Sequence, residues 1–400
     1  GQGQLVYLVH DGTAYPYVAD YHGGTGNDLV LHWANNRLFA FGHNQYGKLG
    51  DGTLENRSVP VPVTDTGVLD GKVVIDIRGG ARHTVALCSD GTIATWGDNT
   101  YGQLGRMGDA SDVPGAVDRT GVLAGRRVVG IASGGFHVFA LCEDGALVGW
   151  GSNGSGQLGG IGVNSTNVPV MIPMTGAIAD RRIAAIAAGG SHSLALCSDG
   201  TLASWGSSSY GQSGTGSSGY VLTPTLVDRS GALAGRTVVA IDAGQYFSLA
   251  LCSDGTLASW GRDDSGQLGN GSAGDSSVPG GVDQTGVLSG KSVISIGCGS
   301  ANSIALCSDG TIATWGNGPS GSLGSGGTTD AQVPVTVDQS GVLAGKMVSG
   351  VSGGGGNVIA WSDDGSLAAW GYNSSGQLGD GSVTTQNVPV PVDATSLEDG

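Results

Sequence analysis

The sequence predicts an all-β protein, a seven-bladed β-propeller with four antiparallel strands in each blade. The first observation is an internal repeat: segments resembling LALCSDGTLASWG, residues 194–206, occur seven times along the 400 residues. The second is the spacing of 54 or 55 residues between the aromatic residues that end these segments, namely Phe41, Trp96, Trp150, Trp205, Trp260, Trp315 and Trp370. The third is the lack of a 3.6-residue apolar period, which argues against a helical solenoid. A fixed period over nearly the whole chain indicates one repeat domain.

The second repeat shows how each copy divides into strands and turns. Runs of apolar and β-branched residues predict four strands, A to D, at Val73–Ile77, Thr84–Cys88, Thr92–Gly97 and Val113–Val117. Asp90 and Gly91 predict a tight turn between strands B and C, because Asp hydrogen-bonds its own backbone and Gly accepts a positive φ. A long polar loop connects strands C and D. We expect the seven repeat aromatics to occupy one position of strand C and to form the structural core.

Strand D carries a proline at the same position in every repeat. Proline lacks an N–H and is therefore confined to edge strands, where it also discourages pairing with other chains. Strand D is accordingly predicted to form the outer edge of each blade. The prolines are Pro60, Pro114, Pro169, Pro224, Pro279, Pro334 and Pro389.

The two ends of the chain depart from the repeat. Residues 17–24 align with strand A of the later repeats, so we assign residues 17–393 to the propeller. Residues 1–16 are predicted to be a linker with one extra strand, Leu5–Val9, near the seam between the first and last blades. Residues 394–400 are expected to fray, because nothing in the repeat holds them.

Composition restricts the classes of function. The chain has 33 acidic and 17 basic residues and a formal charge of −16, which argues against binding a nucleic-acid backbone. No apolar run approaches the roughly 18–20 residues of a membrane span. Five of the six cysteines share one repeat position and therefore belong to different blades. We expect them to be small buried thiols and not disulfides or zinc ligands.

Polar residues that recur between repeats have a structural interpretation. His83, His137 and His192 occupy one position at the start of strand B, and we interpret them as bracing residues and not as bases or metal ligands. An Asp in each B–C turn, such as Asp90, and a base before each strand A, such as Lys72, predict surface ion pairs on one face. Six equal copies are not typical of a catalytic site. With no nucleophile and base pair and no nucleotide motif, we predict neither catalytic residues nor a cofactor or metal.

The opposite face carries the A–B and C–D loops, and the C–D loops differ most between repeats. They are rich in Tyr, Ser, Asn and Gly, the composition of adaptable binding surfaces, although a merely solvated loop has a similar composition. We predict partner binding on this face. The candidate partner-binding residues are Tyr46, Tyr101, Tyr210, Asp263, Asp264 and Tyr372.

The repeat resembles the regulator-of-chromosome-condensation repeat. The resemblance rests on GGARHTVALCSDGTIATWGDNTYGQLG, residues 79–105, with its Gly-Gly, His, Trp-Gly and Gly-Gln-Leu-Gly positions, and it extends from about residue 17 to residue 393. It implies a seven-bladed propeller. Members of this family include an exchange factor for a small nuclear GTPase, a plant UV-B photoreceptor and an inhibitor of secreted β-lactamases.

Several departures separate this chain from those members. No inserted loop of the kind the exchange factor uses interrupts the period, and the acidic composition does not suit chromatin. The repeat tryptophans are expected in the core, whereas the photoreceptor uses exposed ones beside arginines. Separately, residues 21–31, YHGGTGNDLVL, resemble the closing segment of bacterial autotransporter-associated β-strand repeats, which implies a secreted or surface protein of the bacterial type.

The sequence therefore predicts a non-enzymatic binding or scaffold propeller. Its expected partner is a protein or a glycan, with no nucleic acid and no membrane span, and the propeller is expected to be a monomer. We expect an extracellular or cell-surface location. The alternatives are an exchange-factor-like regulator of a small GTPase in the cytoplasm, and a propeller that inhibits an enzyme.

Overall fold

In the computed structural model, antiparallel sheets follow the seven repeats one after another. The structure describes residues 4–10, 13–20, 30–33 and 37–395, with side chains from residue 37 onward. Six sheets have four strands, and in each the strand order follows the chain order. The fold is thus an all-β propeller with four antiparallel strands per blade. We number the sheets 1 to 7 after the repeats.

Sheet 1 has five strands, whereas the sequence predicted four strands and a separate extra strand. Its strands are β1 (Gln4–His10), β2 (Thr13–Asp20), β3 (Val30–Trp33), β4 (Leu38–Gly42) and β5 (Arg57–Pro62). The first strand pairs antiparallel with the second, from Gln4 opposite Ala19 to His10 opposite Thr13. It therefore extends the sheet at the edge opposite β5, beside the strand in the A position. Most of the autotransporter-like segment, and the tail from residue 396, lie outside the described residues.

The other six sheets repeat the A to D pattern with little change. Their A strands are β6 (Val74–Gly79), β10 (Val128–Ser133), β14 (Ile183–Ala188), β18 (Val238–Ala243), β22 (Val293–Cys298) and β26 (Val348–Gly353). Their B strands are β7 (His83–Cys88), β11 (His137–Cys142), β15 (His192–Cys197), β19 (Phe247–Cys252), β23 (Asn302–Cys307) and β27 (Asn357–Ser362).

The outer half of each sheet is formed by strands C and D. The C strands are β8 (Ile93–Gly97), β12 (Leu147–Ser152), β16 (Leu202–Ser208), β20 (Leu257–Gly261), β24 (Ile312–Gly316) and β28 (Leu367–Gly371). The D strands are β9 (Ser111–Ala116), β13 (Ser165–Met171), β17 (Gly219–Leu226), β21 (Ser276–Gly281), β25 (Ala331–Thr336) and β29 (Gln386–Pro391). Strand D is the edge strand of every sheet, as its proline predicted. Two short 3-10 turns, Gly67–Leu69 and Gly176–Ile178, precede strands β6 and β14.

The core lies between consecutive sheets. Phe41 and the six repeat tryptophans have no exposed surface. Each tryptophan also bonds to the preceding sheet: Trp205 Nε1 donates to the Gln157 carbonyl at 2.8 Å, and the other five make the equivalent bond at 2.8–3.0 Å. A Cβ on Gly50 would lie 2.7 Å from Trp96 Nε1, which explains the final glycine of the Gly-Gln-Leu-Gly segment. The tryptophans therefore hold neighbouring sheets together by packing and by a buried hydrogen bond.

The last sheet packs on the first. Phe39 and Phe41 share one buried cluster with Ile359 and Trp361. In addition, the Gly381 N–H donates to the Ser58 carbonyl at 2.8 Å. Trp361, which departs from the repeat, thus fills the contact where the two ends of the repeat array meet.

Buried polar side chains brace the A–B turns. The His83 ring lies so close to Gly80 that a Cβ there would be 2.1 Å from Cε1, which accounts for the Gly-Gly-x-x-His segment. His192 Nε2 lies 3.0 Å from Ser248 Oγ in strand B of the next sheet, and His137 makes the equivalent contact with Ser193 at 3.1 Å. His83 Nε2 instead lies 3.0 Å from Ser133 Oγ in strand A of the next sheet. Burial lowers the pKa of His83 and His137 to about 3 and that of His192 to about 4. These histidines are neutral structural groups.

The six cysteines are all buried and form no disulfide. Burial raises the pKa of the Cys88 thiol to about 11, which keeps it protonated and unreactive. No group of His, Cys, Asp and Glu in the described part of the chain is arranged to hold a metal ion. The described residues also include no helix long and apolar enough to cross a membrane.

Candidate partner-binding face

The two faces of the propeller differ in how strictly they repeat. On the face with the B–C turns, Arg181 Nε forms an ion pair with Asp199 Oδ2 at 2.9 Å. The Thr201 backbone N–H donates a hydrogen bond to Oδ1 of the same aspartate. Five other sheets have the same exposed pair of base and Asp, as the sequence predicted. We call this surface the ion-pair face. Each pair satisfies the turn of its own sheet, so this face offers six nearly identical sites with no distinguishing feature.

The opposite face, formed by the A–B turns and C–D loops, is not uniform. We call it the loop face. Tyr101 and Tyr372 are exposed, whereas Tyr46 and Tyr210 are half-buried. Asp264 is exposed and pairs with Arg262 at 2.5 Å. The loop face therefore presents four of its tyrosines and one of its two candidate aspartates at least partly to solvent.

Asp263 has a different role from the one the sequence suggested. It is fully buried, and its Oδ1 accepts the Leu268 N–H at 2.9 Å. Asn44 makes the same bond to Leu49 in sheet 1, so the side chain at this position shapes its own loop. Burial raises the pKa of Asp263 to about 6. This carboxyl is not available to a partner.

Aromatic and cationic side chains form a first cluster across sheets 1 to 3. The Arg82 guanidinium lies 4.4 Å from the Tyr46 ring centroid and 5.7 Å from that of Phe136. Phe136 in turn contacts Tyr101, with ring centroids 5.1 Å apart. Cation–π contacts of this kind contribute roughly 0.5–1 kcal/mol each at exposed sites and fix the orientation of the ring and the guanidinium.

A second cluster repeats this chemistry on sheets 4 and 5. Tyr210 and Tyr246 have ring centroids 5.1 Å apart. The Arg262 guanidinium lies 5.0 Å from the first ring and 5.5 Å from the second. The two tyrosines and the arginine are half-buried, so neighbouring residues restrict the conformations of their side chains.

The sequence identified three tyrosines of these clusters, Tyr46, Tyr101 and Tyr210, but missed the residues that they contact. Arg82, Phe136 and Tyr246 precede the start of strand B by one residue, in the A–B turn. The same position holds Ser191, Ala301 and Gly356 in other repeats. This variation between repeats, which pointed to the C–D loops, was also present in the A–B turns and could have identified these residues.

A match to the RCC1-like domain covers residues 114–360, and matches to the regulator of chromosome condensation (RCC1) repeat cover residues 35–87, 74–103 and 364–399. The chain belongs to the RCC1 repeat family. This membership agrees with the resemblance noted in the sequence.

Relatives in this family span very different proteins. Over 359 residues, or 89% of this chain, the identity to the mouse E3 ubiquitin-protein ligase HERC2 is 32%, and the match spans only 7% of that ligase. The Arabidopsis thaliana ultraviolet-B receptor UVR8 is 34% identical over 80% of this chain and 70% of its own length. The chain thus matches one small part of the ligase and most of the receptor.

Solved structures share the fold. Human WBSCR16 superimposes with a TM-score of 0.78 at 23% identity, covering 90% of this chain and 95% of that one. Yeast RCC1 (Prp20), solved bound to Kap60, has a TM-score of 0.77 at 21% identity over 90% of this chain and 84% of its own. A second structure of Prp20p from Saccharomyces cerevisiae, described together with its binding to Gsp1p and histones, has a TM-score of 0.78 at 22% identity, covering 90% of this chain and 86% of that one.

Proposed function

We propose that this propeller is a non-enzymatic module that binds a protein partner through its loop face. The observation that carries the proposal is the pair of arginine and tyrosine clusters around Arg82 and Arg262. Tyr and Arg are the residues most often found to dominate binding energy at protein interfaces. Here they are pre-positioned by each other, which lowers the entropy lost on binding.

The contrast between the faces supports the same surface. A site for one partner must break the equivalence of the repeats, and the loop face does so with the aromatic side chains of Tyr46, Tyr101, Tyr210 and Tyr246. Prp20, a propeller of the same fold, is described with three protein partners, namely Kap60, Gsp1p and histones. We therefore propose that the partner of this chain is a protein. Evidence that the loop face binds a glycan would contradict this proposal.

We propose that all seven sheets act as blades of one closed ring. The buried cluster between sheets 7 and 1 and the hydrogen bond from Gly381 to Ser58 support this arrangement. Closure would hold the two clusters in a fixed relation, since each sheet is then packed on both sides.

The assignment of binding to the loop face can be tested by capturing a partner from a host extract and measuring its affinity for variants of each face. Tyr101→Ala combined with Tyr210→Ala removes one aromatic from each cluster and should weaken binding more than tenfold, or about 1.4 kcal/mol. Asp199→Ala combined with Asp254→Ala changes the ion-pair face and should leave the affinity nearly unchanged. If the aspartate pair abolishes binding while the tyrosine pair does not, the wrong face has been assigned. Capture of glycans alone on an array would overturn the choice of a protein partner.

We also propose an extracellular or cell-surface location and a bacterial type for this chain. The support is the resemblance of residues 21–31 to autotransporter-associated repeats. The relatives named above are from mouse, Arabidopsis, human and yeast, so the family itself does not favour this source. Fractionation of the native host, with detection of the propeller in the medium or on the surface, tests the location. Recovery only from the cytoplasm would favour the exchange-factor-like alternative.

A further inference from the structure

One hydrogen bond recurs at the seams between sheets. A glycine in the C–D loop donates its N–H to a carbonyl in strand D of the next sheet, as Gly52 does to Asp112 at 3.0 Å. The same bond is made at 2.8–2.9 Å by Gly216, Gly271, Gly326 and Gly381. These five glycines have φ between 75° and 84°, a conformation that other residues rarely adopt. The bond therefore depends on glycine at this position.

Two consecutive repeats lack that glycine. The position holds Met107 in repeat 2 and Ile161 in repeat 3, and neither residue has a positive φ. The glycine instead follows one residue later in both loops. No loop N–H of the described residues donates to the Asn167 carbonyl, which is the equivalent acceptor in strand β13. Strand β13 leaves its regular register with β12 between residues 166 and 170, so Asn167 lies in a bulge where the sheet offers no partner of its own.

A cleft lies at this seam. It measures about 890 Å³ and is bounded by the loop of sheet 2, the loop of sheet 3 and strand β13. Its apolar walls are provided by Tyr101, Ile161, Val163 and Met171, and its polar groups include Thr166 and Asn167. None of the lining residues is charged. An uncharged cleft cannot compensate the cost of removing a charge from water, so it selects against ionic ligands and favours an uncharged one.

The walls of the cleft are held in place. Asn99 Nδ2 donates to the Gly108 carbonyl at 2.7 Å and fixes the first loop. Asn153 Nδ2 donates to the Val163 carbonyl at 2.6 Å and fixes the second. Val163 is 50% exposed and Met171 37% exposed, so apolar surface remains at the mouth of the cleft. The cleft is thus a formed site and does not depend on a loop rearrangement.

We propose that this cleft binds an extended, uncharged segment of a partner protein. A backbone N–H of the segment would donate to the Asn167 carbonyl, replacing the bond that glycine makes at the other seams. An adjacent apolar side chain would enter between Ile161, Val163 and Met171. Extended segments commonly bind by such backbone hydrogen bonds together with side-chain pockets. This proposal rests on the proposed function and specifies one part of the partner.

Capped eight-residue peptides of alternating Val and Thr provide the probe. Titration of isotope-labelled protein should shift the backbone amide signals of residues 99–102 and 160–171, with a Kd near or below about 1 mM. Peptides with Asp or Lys in place of the central Val should bind at least tenfold more weakly. N-methylation of one central residue, which removes its N–H, should have the same effect, while N-methylation at the peptide end should not.

Variants of the chain complete the test. Met107→Gly restores the repeat glycine opposite Asn167 without changing the apolar walls of the cleft, and it should weaken peptide binding at least tenfold without loss of thermal stability. Val163→Asp places a charge at the mouth and should abolish binding of the uncharged peptide. Val383→Gly, at another exposed loop position, is the matched control and should bind as the parent does.

Two results would overturn the proposal: no shifts at the cleft with any peptide, or equal binding by the glycine-restored variant. Either result leaves the proposed function testable on its own, because Arg82 and Arg262 do not line the cleft, whereas Tyr101 does. Partner capture by a variant with Arg82→Ala and Arg262→Ala therefore tests the clusters without altering the cleft. Conversely, the peptide could bind at the cleft while partner capture is unaffected by replacement of the two arginines. That result would support the cleft proposal and contradict the proposed role of the arginine and tyrosine clusters.

Discussion

Acid should destabilise this fold through the buried histidines of the repeat position, and replacing them should remove that effect. His83, His137 and His192 have no exposed surface, and burial lowers their pKa to about 3, 3 and 4. In the unfolded chain a histidine has a pKa of about 6.5. Above that pH both states are neutral and the histidines have no effect on the pH dependence. Below it the unfolded state binds protons that the folded state excludes, so the free energy of unfolding falls as the pH drops toward the folded pKa.

The magnitude follows from the difference between the two pKa values. At pH 5, about 1.5 units below the unfolded pKa, protonation stabilises the unfolded state by about 2 kcal/mol for each histidine. The buried histidine of the folded state stays neutral and gains no such stabilisation. Asp242 and Asp263 act in the opposite direction, because burial raises the pKa of each to about 6. Their folded forms are stabilised as the pH falls from 6 toward 4. The parent protein alone therefore reports a mixture of both effects, and comparison with variants isolates the histidines.

The chain itself supplies the variant. Phe247 occupies the histidine position in repeat 5 and packs on Gly244 as His192 packs on Gly189. We expect His192→Phe to fold at pH 7.5, because Ser248 Oγ keeps its bond to the Gln212 carbonyl at 2.9 Å. Denaturant unfolding at pH 7.5 and pH 5 should show that the variant loses about 2 kcal/mol less than the parent between the two values.

The reciprocal change is the control. Phe247→His adds another buried histidine at the repeat position and should increase the loss of unfolding free energy between pH 7.5 and pH 5 by a similar amount. If the parent and both variants lose the same free energy over this range, the buried histidines do not remain neutral in the folded state and the reasoning is refuted.

Two further predictions concern the core. Trp205→Ala should lower the free energy of unfolding by about 3–5 kcal/mol, because it empties a fully buried site. Trp205→Phe, which introduces the aromatic residue found at Phe41, should lower it by less. An unchanged thermal melting curve for the alanine variant would show that the side chain does not hold the sheets together. Alkylation followed by mass spectrometry should label none of the six cysteines under native conditions and all six after denaturation, because the thiols are buried and protonated; a bridged pair resistant to alkylation would contradict this.

The sequence alone determined the architecture, because a repeat of constant length forces each copy into the same local structure. The strands of repeat 2 were predicted within one or two residues of β6 to β9. The edge position of strand D followed from proline, which cannot donate to a ladder. The placement of the tryptophans between sheets, and the division into an ion-pair face and a loop face, also followed from comparing copies of one unit.

Only the tertiary structure determined which residues meet across repeats. Trp205 bonds to Gln157 and His192 to Ser248, contacts between residues 48 and 56 positions apart that no local pattern specifies. Arg82 lies over Tyr46 because the A–B turn of one sheet faces the C–D loop of the preceding sheet. The burial of Asp263 and the cleft between the loops of sheets 2 and 3 have the same origin. A repeat fixes the conformation of each unit, but the contacts that make one seam unlike another depend on how neighbouring units pack.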